Sequence, residues 1–314
     1  MATDFNTSGL ADYTAANPQK ALELMILTGK GTKDYFDIET GVKYQTKIPY
    51  ISNVDVDIST GAISGYNTGS GQTTIEEITL SNDQLKLFET YTKEQLRKTI
   101  MALVETRGTD PAELPIEDMI LALKQKEFFV TNEKYLWQDE ASMLTDGGIL
   151  YQIDDASDFN STGVAAVSFQ TLTDASILEA VNAVNSTLET DMPEYINEEM
   201  ILAMSPANFA AYSRALYNLN GTVTTDTIGA NGKPIQEVYI PGTNVKAVSM
   251  IGLTGKNDLV CTHKMNIIQV VDLVDETDFL SFQYNPFARW HELAGQYKLG
   301  VKVADTTKVI AAIS

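Results

Sequence analysis

The stretch STGAISGYNTGSGQTT (Ser59–Thr74) decides how this sequence is interpreted. It contains four glycines and many hydroxyl side chains but no charged residue. A phosphate-binding P-loop would need a lysine followed by serine or threonine after its last glycine, and Gly71 is followed by Gln72 instead. We therefore expect a soft, glycine-rich turn at this point and no nucleotide site.

The flanks of this turn have the pattern of half-exposed β-strands. Upstream, Val54, Val56 and Ile58 alternate with two aspartates, which predicts one apolar and one charged face. Downstream, apolar residues resume at Ile75, Ile78 and Leu80. The segment from Lys47 to Ile58, at about 3.3 Å per residue, would extend about 40 Å. That length exceeds what a compact domain needs, so the sequence predicts a hairpin that reaches another surface.

Composition and charge exclude several classes of protein. The chain has 314 residues, 44% of them hydrophobic, a formal net charge of −20 and a pI near 4.4. Such a charge repels nucleic acid and anionic membranes, and no cluster of Lys and Arg with interleaved aromatics offsets it. The N-terminal segment has no signal-peptide pattern, so we expect the protein to be made in the cytoplasm and to stay there. The longest apolar runs are too short to cross a bilayer.

The sequence offers few residues for catalysis or metal binding. Cys261 and His263 form one Cys-x-His pair, but a zinc site needs a second ligand pair, so a buried cysteine beside a strand histidine is the favoured interpretation. The stretch Asp158–Gly163 imitates the start of a calcium loop, yet the position of its last acidic ligand falls on Phe169. The sequence therefore predicts no catalytic residue, no cofactor and no metal site.

The order of predicted elements indicates an α+β protein. We expect a polar N-terminal arm with a short helix over Lys20–Leu27, the hairpin, and a helix that starts at the capping box at Thr92 and ends at Gly108. Further predicted elements are a helix from Pro115 running, with or without an interruption, to Met143, a helix capped by Asp174, a buried strand at Met200–Met204 and a helix starting at Pro206. Six strands are then predicted at Val245–Ile251, Asp258–Cys261, Asn266–Val271, Phe279–Gln283, Tyr297–Val303 and Val309–Ile313.

This order of elements resembles the major capsid protein of tailed bacteriophages, the Hong Kong 97 fold. Local sequence is also similar to that family in Gly148-Ile-Leu, in MILAMSPANFAAYSRALYNLNG (Met200–Gly221), in IPGTNVKAV (Ile240–Val248) and in YKLGVKVADTTKVIAAI (Tyr297–Ile313). The resemblance covers nearly the whole chain, and it depends on the order of these segments because none of them is diagnostic alone.

The resemblance implies five regions and an assembly role. They are an N-terminal arm (1–36), an extended hairpin loop (37–90), a peripheral domain with a spine helix (91–150), an axial domain (151–275) and returning strands of the peripheral domain (276–314). The implied function is a structural, non-enzymatic subunit that forms hexamers and pentamers of an icosahedral virion shell around double-stranded DNA. The implied partners are further copies, a separate scaffolding protein, the portal and decoration proteins, with DNA enclosed but not specifically bound.

The hairpin would then lie on a neighbouring subunit, and its glycine-rich tip would adapt to slightly different neighbours. The predicted interface residues are Val54, Val56, Ile58, Gly61, Gly65, Tyr66, Gly69, Gly71, Ile75 and Ile78. Some members of the family link this loop to a neighbour through a lysine. Because no lysine lies between Lys47 and Lys86, we expect a shell without isopeptide bonds.

Three other interpretations fit parts of the sequence. An encapsulin-like compartment shell shares the fold, and neighbouring genes for a portal or for a cargo enzyme would separate the two. A soluble α+β protein could fold the hairpin back on its own core, although the exposed acidic alternation argues against this. A hydrolase could use Cys261 and His263, and a thiol-alkylation assay would detect its reactive cysteine.

Overall fold

The computed structural model describes residues 31–42, 44–54, 73–92, 116–156, 160–161, 174–220, 237–272, 281–285 and 290–313. The helices are α1 (Thr32–Tyr35), α2 (Ile116–Gln138), α3 (Ile149–Ala156), α4 (Asp174–Asp191) and α5 (Pro206–Asn220). The strands are β1 (Asp37–Thr40), β2 (Gln45–Val54), β3 (Thr73–Ser81), β4 (Asp83–Thr92), β5 (Asn160–Ser161), β6 (Met200–Met204), β7 (Glu237–Tyr239), β8 (Val245–Ser249), β9 (Leu259–His263), β10 (Ile267–Asp272), β11 (Ser281–Asn285), β12 (Trp290–Val303) and β13 (Val309–Ala312).

The described strands form two mixed sheets and one two-stranded ribbon. The five-stranded sheet has the order β1-β10-β12-β11, with β4 also paired to the long β12. The six-stranded sheet has the order β5-β13-β9-β6-β8-β7, and the ribbon consists of β2 and β3. Helices and mixed sheets together confirm the α+β prediction.

Two apolar clusters form the core on the two faces of the six-stranded sheet. Along β6, Ile201 and Ala203 join a cluster with residues of α2, α3 and the five-stranded sheet. Met200, Leu202 and Met204 face the opposite way and pack with α4 and α5. This alternation is the period-two pattern of a strand covered on both sides, as the sequence predicted for Met200–Met204.

The predicted helices α4 and α5 are confirmed. Helix α4 buries Ile177 and three further apolar residues at helical spacing, as predicted. Helix α5 begins directly after Ser205, whose hydroxyl oxygen accepts a hydrogen bond from the amide of Asn208 at 3.3 Å.

The C-terminal end of α2 differs from the prediction. The helix ends at Gln138 and does not reach Met143, because the buried Asp139 carboxylate folds the next residues into a turn. It accepts hydrogen bonds from the amides of Met143 and Leu144, at 3.0 and 2.8 Å to the same oxygen. Ala141, within that turn, has a φ of 55°, a value at which a right-handed helix cannot continue. Helix α3, which follows this turn, was not predicted.

All six strands predicted between Val245 and Ile313 are present in the predicted order with shifted boundaries, whereas β7 (Glu237–Tyr239) was not predicted. The largest change is β12, which begins at Trp290 and not at Tyr297. The predicted helices at Lys20–Leu27 and Thr92–Gly108 lie outside the described residues, as does most of the calcium-like stretch. Asn160 of that stretch belongs to the short strand β5, which pairs with β13.

Candidate assembly surface

A paired ribbon leaves the body of the protein at the predicted hairpin. Strands β2 and β3 run antiparallel from the pair Gln45–Ser81 to the pair Val54–Thr73. Within the described residues, neither strand pairs with any other strand. Ten residues at about 3.3 Å each give a ribbon about 33 Å long. The hairpin prediction is thus confirmed for its two legs, while the tip at residues 55–72 lies outside the described part.

An apolar cluster holds the base of the ribbon to the body. Leu80 of β3 is fully buried with Val42 and with Val270 of the five-stranded sheet. Ile48 and Ile78, opposite each other in the ribbon, pack against this cluster. The proximal ribbon therefore contributes to the protein's own core.

Hydrogen bonds fix the same base in position. The buried Asn82 side chain donates from Nδ2 to the Val42 carbonyl at 2.6 Å, and its amide donates to the Tyr44 carbonyl at 3.0 Å. The Asp83 carboxylate accepts from the amide and the hydroxyl of Thr145, each at 2.6 Å. The Asn82 bonds join the segment that follows β3 to the segment that precedes β2, and the Asp83 bonds join this base to the turn after α2.

The ribbon crosses the five-stranded sheet at a glycine. A Cβ atom at Gly300 of β12 would collide with the carbonyl oxygen of Ser81, so only glycine permits this close approach. The Ser81 hydroxyl donates to Asp146, and the Lys302 ammonium lies 3.6 Å from the same carboxylate. A polar groove of about 490 Å³ opens between the ribbon and the body at this crossing.

Beyond this base, the ribbon is exposed. The Ile75 side chain of β3 is 67% exposed. Lys47 and Glu77 form an ion pair at 2.7 Å with both side chains largely in solvent, a geometry that contributes little to folding stability. The distal ribbon thus presents the exposed Ile75 beside Lys47 and Glu77, whose ion pair lies within the ribbon and does not hold the ribbon to the body.

The structure describes three of the ten predicted interface residues. Ile75 is exposed, Ile78 is half-buried on the protein's own body, and Val54 ends β2 opposite Thr73. The other predicted residues lie outside the described part, namely Val56, Ile58, Gly61, Gly65, Tyr66, Gly69 and Gly71. Their role at an interface stays a prediction.

Sequence analysis missed Phe88 as an exposed apolar residue. In β4, Leu85 and Leu87 face α2, whereas Phe88 lies on the other face of the sheet and is 62% exposed. The signal was present in the sequence, because a phenylalanine directly after Leu85-x-Leu87 must fall on the opposite face of a strand. Tyr44, at the foot of the ribbon, is also exposed, and its ring lies 4.7 Å from the buried Lys298 ammonium.

The Cys261–His263 pair does not have the chemistry of a nucleophilic site. Cys261 is fully buried in the core, and burial raises the pKa of its thiol to about 12. A thiol with this pKa stays protonated at neutral pH and is unreactive. His263 accepts a hydrogen bond at Nδ1 from the Met265 amide and lies 3.8 Å from the Glu198 carboxylate.

In the part of the chain that the structure describes, no group of three or more His, Cys, Asp or Glu side chains is placed to hold a metal ion. No helix in the same part of the chain is both long and apolar enough to span a membrane.

The fold is similar to that of chains in solved phage structures. A chain of the satellite phage P4 procapsid including size determination (Sid) protein aligns over 100% of this chain and 92% of its own length, with 12% identity and a TM-score of 0.54. Chains of Mycobacterium phage Ogopogo and Mycobacterium phage Bobi each align over 90% of this chain, and over 92% and 90% of their own lengths. Their identities are 11% and 12%, with TM-scores of 0.56 and 0.53.

Sequence comparison adds nothing to this likeness. No family model matches the chain, and no curated protein matches it. At identities near 12%, the similarity concerns the three-dimensional arrangement, and it covers nearly all of each chain. The chain has the Hong Kong 97-like phage capsid fold.

Proposed function

We propose that this chain is a major capsid protein, a structural subunit that assembles with its own copies into the shell of a tailed bacteriophage. The observation that carries the proposal is the ribbon β2–β3, about 33 Å long, which is tied to the body only at its base within the described residues. An isolated two-stranded ribbon is marginally stable in water, so a partner surface is the physical reason to keep it. The capsid fold supports the same conclusion.

In this proposal, the subunits form hexamers and pentamers of an icosahedral shell that encloses double-stranded DNA. The ribbon and its tip lie on a neighbouring subunit, and the predicted interface residues make that contact. The chain acts without catalysis, because Cys261 is buried and protonated and the sequence offers no other nucleophile–base pair. A scaffolding protein, a portal and decoration proteins complete the set of partners, and the assembled protein resides in the virion.

The sheet pairings refine the proposed division into regions. Strands β1 and β4 lie within the proposed loop 37–90, yet both pair within the five-stranded sheet, so the projecting part is Gln45–Ser81. Strand β13 belongs to the six-stranded sheet although it lies in the proposed returning segment 276–314. We therefore propose that the axial domain consists of the six-stranded sheet with α4 and α5.

The charge of the subunit sets conditions for assembly. Identical subunits with a formal charge of −20 repel one another. At physiological salt, this repulsion is largely screened beyond a Debye length of about 8 Å. We expect raised ionic strength or divalent cations to promote assembly. We also expect that isolated subunits do not retard duplex DNA in a gel at about 150 mM salt. The acidic surface that faces the enclosed DNA in the shell would repel the phosphates and would not bind them. Submicromolar DNA binding under these conditions would contradict the proposal.

Deletion of the distal hairpin tests the proposal directly. Replacing Asn53–Thr74 by a short turn removes the projecting part and leaves Ile48, Ile78 and Leu80 in place. The shortened protein should unfold with the cooperativity of the full chain but fail to assemble when a scaffolding protein is supplied. Loss of the cooperative transition would show that the hairpin belongs to the subunit's own core.

A further inference from the structure

A buried carboxylate of α2 holds the segment Gly31–Phe36, here called the entry segment because residues 1–30 continue from it. The Glu133 side chain is buried and accepts hydrogen bonds from the amide and the hydroxyl of Thr32. The amide nitrogen lies 3.1 Å from both carboxylate oxygens, and the hydroxyl donates to Oε2 at 2.7 Å. One side chain of α2 therefore binds both polar groups with which residue 32 donates.

The entry segment is in close contact with the same face of α2 at both of its ends. A Cβ atom at Gly31 would collide with the Glu133 carboxylate, so a larger residue would displace that carboxylate. The Trp137 indole nitrogen donates to the Thr32 hydroxyl oxygen at 2.8 Å. The buried Phe36 ring packs on the Trp137 ring, with their centroids 6.2 Å apart. Phe36 thus anchors one end of the segment by apolar contact, while the other end depends on hydrogen bonds.

The surroundings of Glu133 favour its protonated form. Burial raises the pKa of the Glu133 carboxyl, and the hydrogen bonds from Thr32 oppose this effect. On the entry segment, the nearby Asp34 carboxylate raises the same pKa and the Lys33 ammonium lowers it. The short 3-10 turn Ile251–Leu253, which packs on this stretch of α2, has no titratable side chain. Among the described groups, burial has the largest effect, so this carboxyl binds a proton more readily than an exposed glutamate does.

The geometry accommodates that proton. The 2.7 Å between Thr32 Oγ and Glu133 Oε2 suits a hydrogen bond in either direction, because a hydroxyl group both donates and accepts. In the protonated form, Oε2 donates to the hydroxyl, and Oε1 still accepts from the Thr32 amide at 3.1 Å. The second lone pair of the hydroxyl oxygen remains for the Trp137 indole. The contacts therefore survive protonation, whereas an ionised carboxylate bears the cost of its removal from water.

We propose that Glu133 is a pH-sensitive clamp that holds residues 31–34 on α2 when it is protonated and releases them when it ionises, with Phe36 as the fixed end. The inference concerns the single subunit and goes beyond the proposed assembly function. Once the segment separates from α2, the carboxyl reaches water and titrates as an ordinary glutamate. The clamped form therefore prefers the proton, so the clamp is tight at acidic pH and weakens as pH rises above the ordinary range of a glutamate. One proton then controls how firmly residues 1–30 are joined to the body.

Hydrogen exchange of the entry segment in the dispersed subunit, measured by mass spectrometry, tests the clamp. Glu133→Gln keeps an acceptor for the Thr32 amide and a donor for its hydroxyl, so it imitates the protonated form at every pH. Dividing the wild-type exchange rate by the rate of Glu133→Gln at the same pH removes the intrinsic effect of pH on exchange. We expect this ratio to rise about fivefold or more between about pH 5 and about pH 8.

Two further variants keep the test decisive. Glu127→Gln is the matched control, because Glu127 lies on the same helix with a largely exposed side chain, and it should exchange as the wild type does at both pH values. Thr32→Val removes the hydroxyl that joins Glu133 to Trp137, so its entry segment should exchange about fivefold or more faster than the wild type at pH 5. Thermal unfolding checks that each variant is folded.

Either of two results would overturn the clamp. The first is a ratio of wild-type to Glu133→Gln exchange that stays constant with pH, which would show that the proton on Glu133 does not control the segment. The second is slow, wild-type exchange in Thr32→Val at pH 5, which would show that the hydrogen bonds do not hold it. Because the subunits are dispersed, neither result bears on the proposed capsid function.

Discussion

Truncation of two apolar residues of β3 should separate the anchored base of the ribbon from its projecting part. Leu80 is fully buried at the base, whereas Ile75 is 67% exposed. Leu80→Ala leaves a cavity between the ribbon and the sheet and should cost about 2–5 kcal/mol of unfolding free energy. Ile75→Ala removes side-chain atoms that are already in water, so it should change stability by no more than about 0.5 kcal/mol.

Urea denaturation of the dispersed subunit, followed by tryptophan fluorescence, measures both values. Leu80→Ala should shift the midpoint without changing the dependence on urea, because the folded and unfolded states expose nearly the same total surface as in the wild type. Equal losses for the two variants would refute the reasoning. They would mean that the distal ribbon packs on its own body in solution, and the ribbon would then have no free surface for a neighbour.

Three further predictions follow from single residues. Gly300→Ala should cost about 1–3 kcal/mol in the same urea assay, since the added methyl group meets the Ser81 carbonyl; an unchanged midpoint would contradict the close crossing. Cys261 should not react with a thiol reagent at pH 8 until the protein is unfolded, because burial raises its pKa to about 12; rapid labelling of the folded protein would disprove its burial and reopen the hydrolase interpretation. Burial raises the pKa of Glu133, while hydrogen bonds from Thr32 oppose this. Stability from this site is therefore present at acidic pH and lost as pH rises through the raised pKa, so the unfolding free energy of the wild type relative to Glu133→Gln should fall as pH rises above the ordinary range of a glutamate. A difference that is independent of pH would contradict this assignment.

The elements that sequence analysis predicted best are those with a local signal. Ser205-Pro206 marks the start of α5, and the continuous apolar run Met200–Met204 has the composition typical of a strand covered on both faces. The alternation beside the glycine-rich turn likewise predicted a ribbon. In each case, a few neighbouring residues determine the structure.

The elements that sequence analysis missed depend on distant contacts. Which face of the ribbon meets the body follows from the packing of Ile78 on a cluster that includes Val270, nearly two hundred residues away. Ile75 and Ile78 therefore look equivalent in sequence. The ribbon also has a β-bulge at Ser52, which has no composition signal and is visible only in the pairing with β3. The end of α2 depends on the hydrogen bonds that the Asp139 carboxylate accepts, which helical periodicity does not reveal.

Electron microscopy of the purified chain, co-expressed with the proposed scaffolding protein, tests the central claim most directly. The account predicts closed shells for the wild type and dispersed subunits for the variant in which a short turn replaces Asn53–Thr74. A wild-type preparation that contains only the 34.4 kDa species across a range of salt and pH would contradict the capsid function. Shells from the shortened variant would contradict the role of the hairpin in assembly.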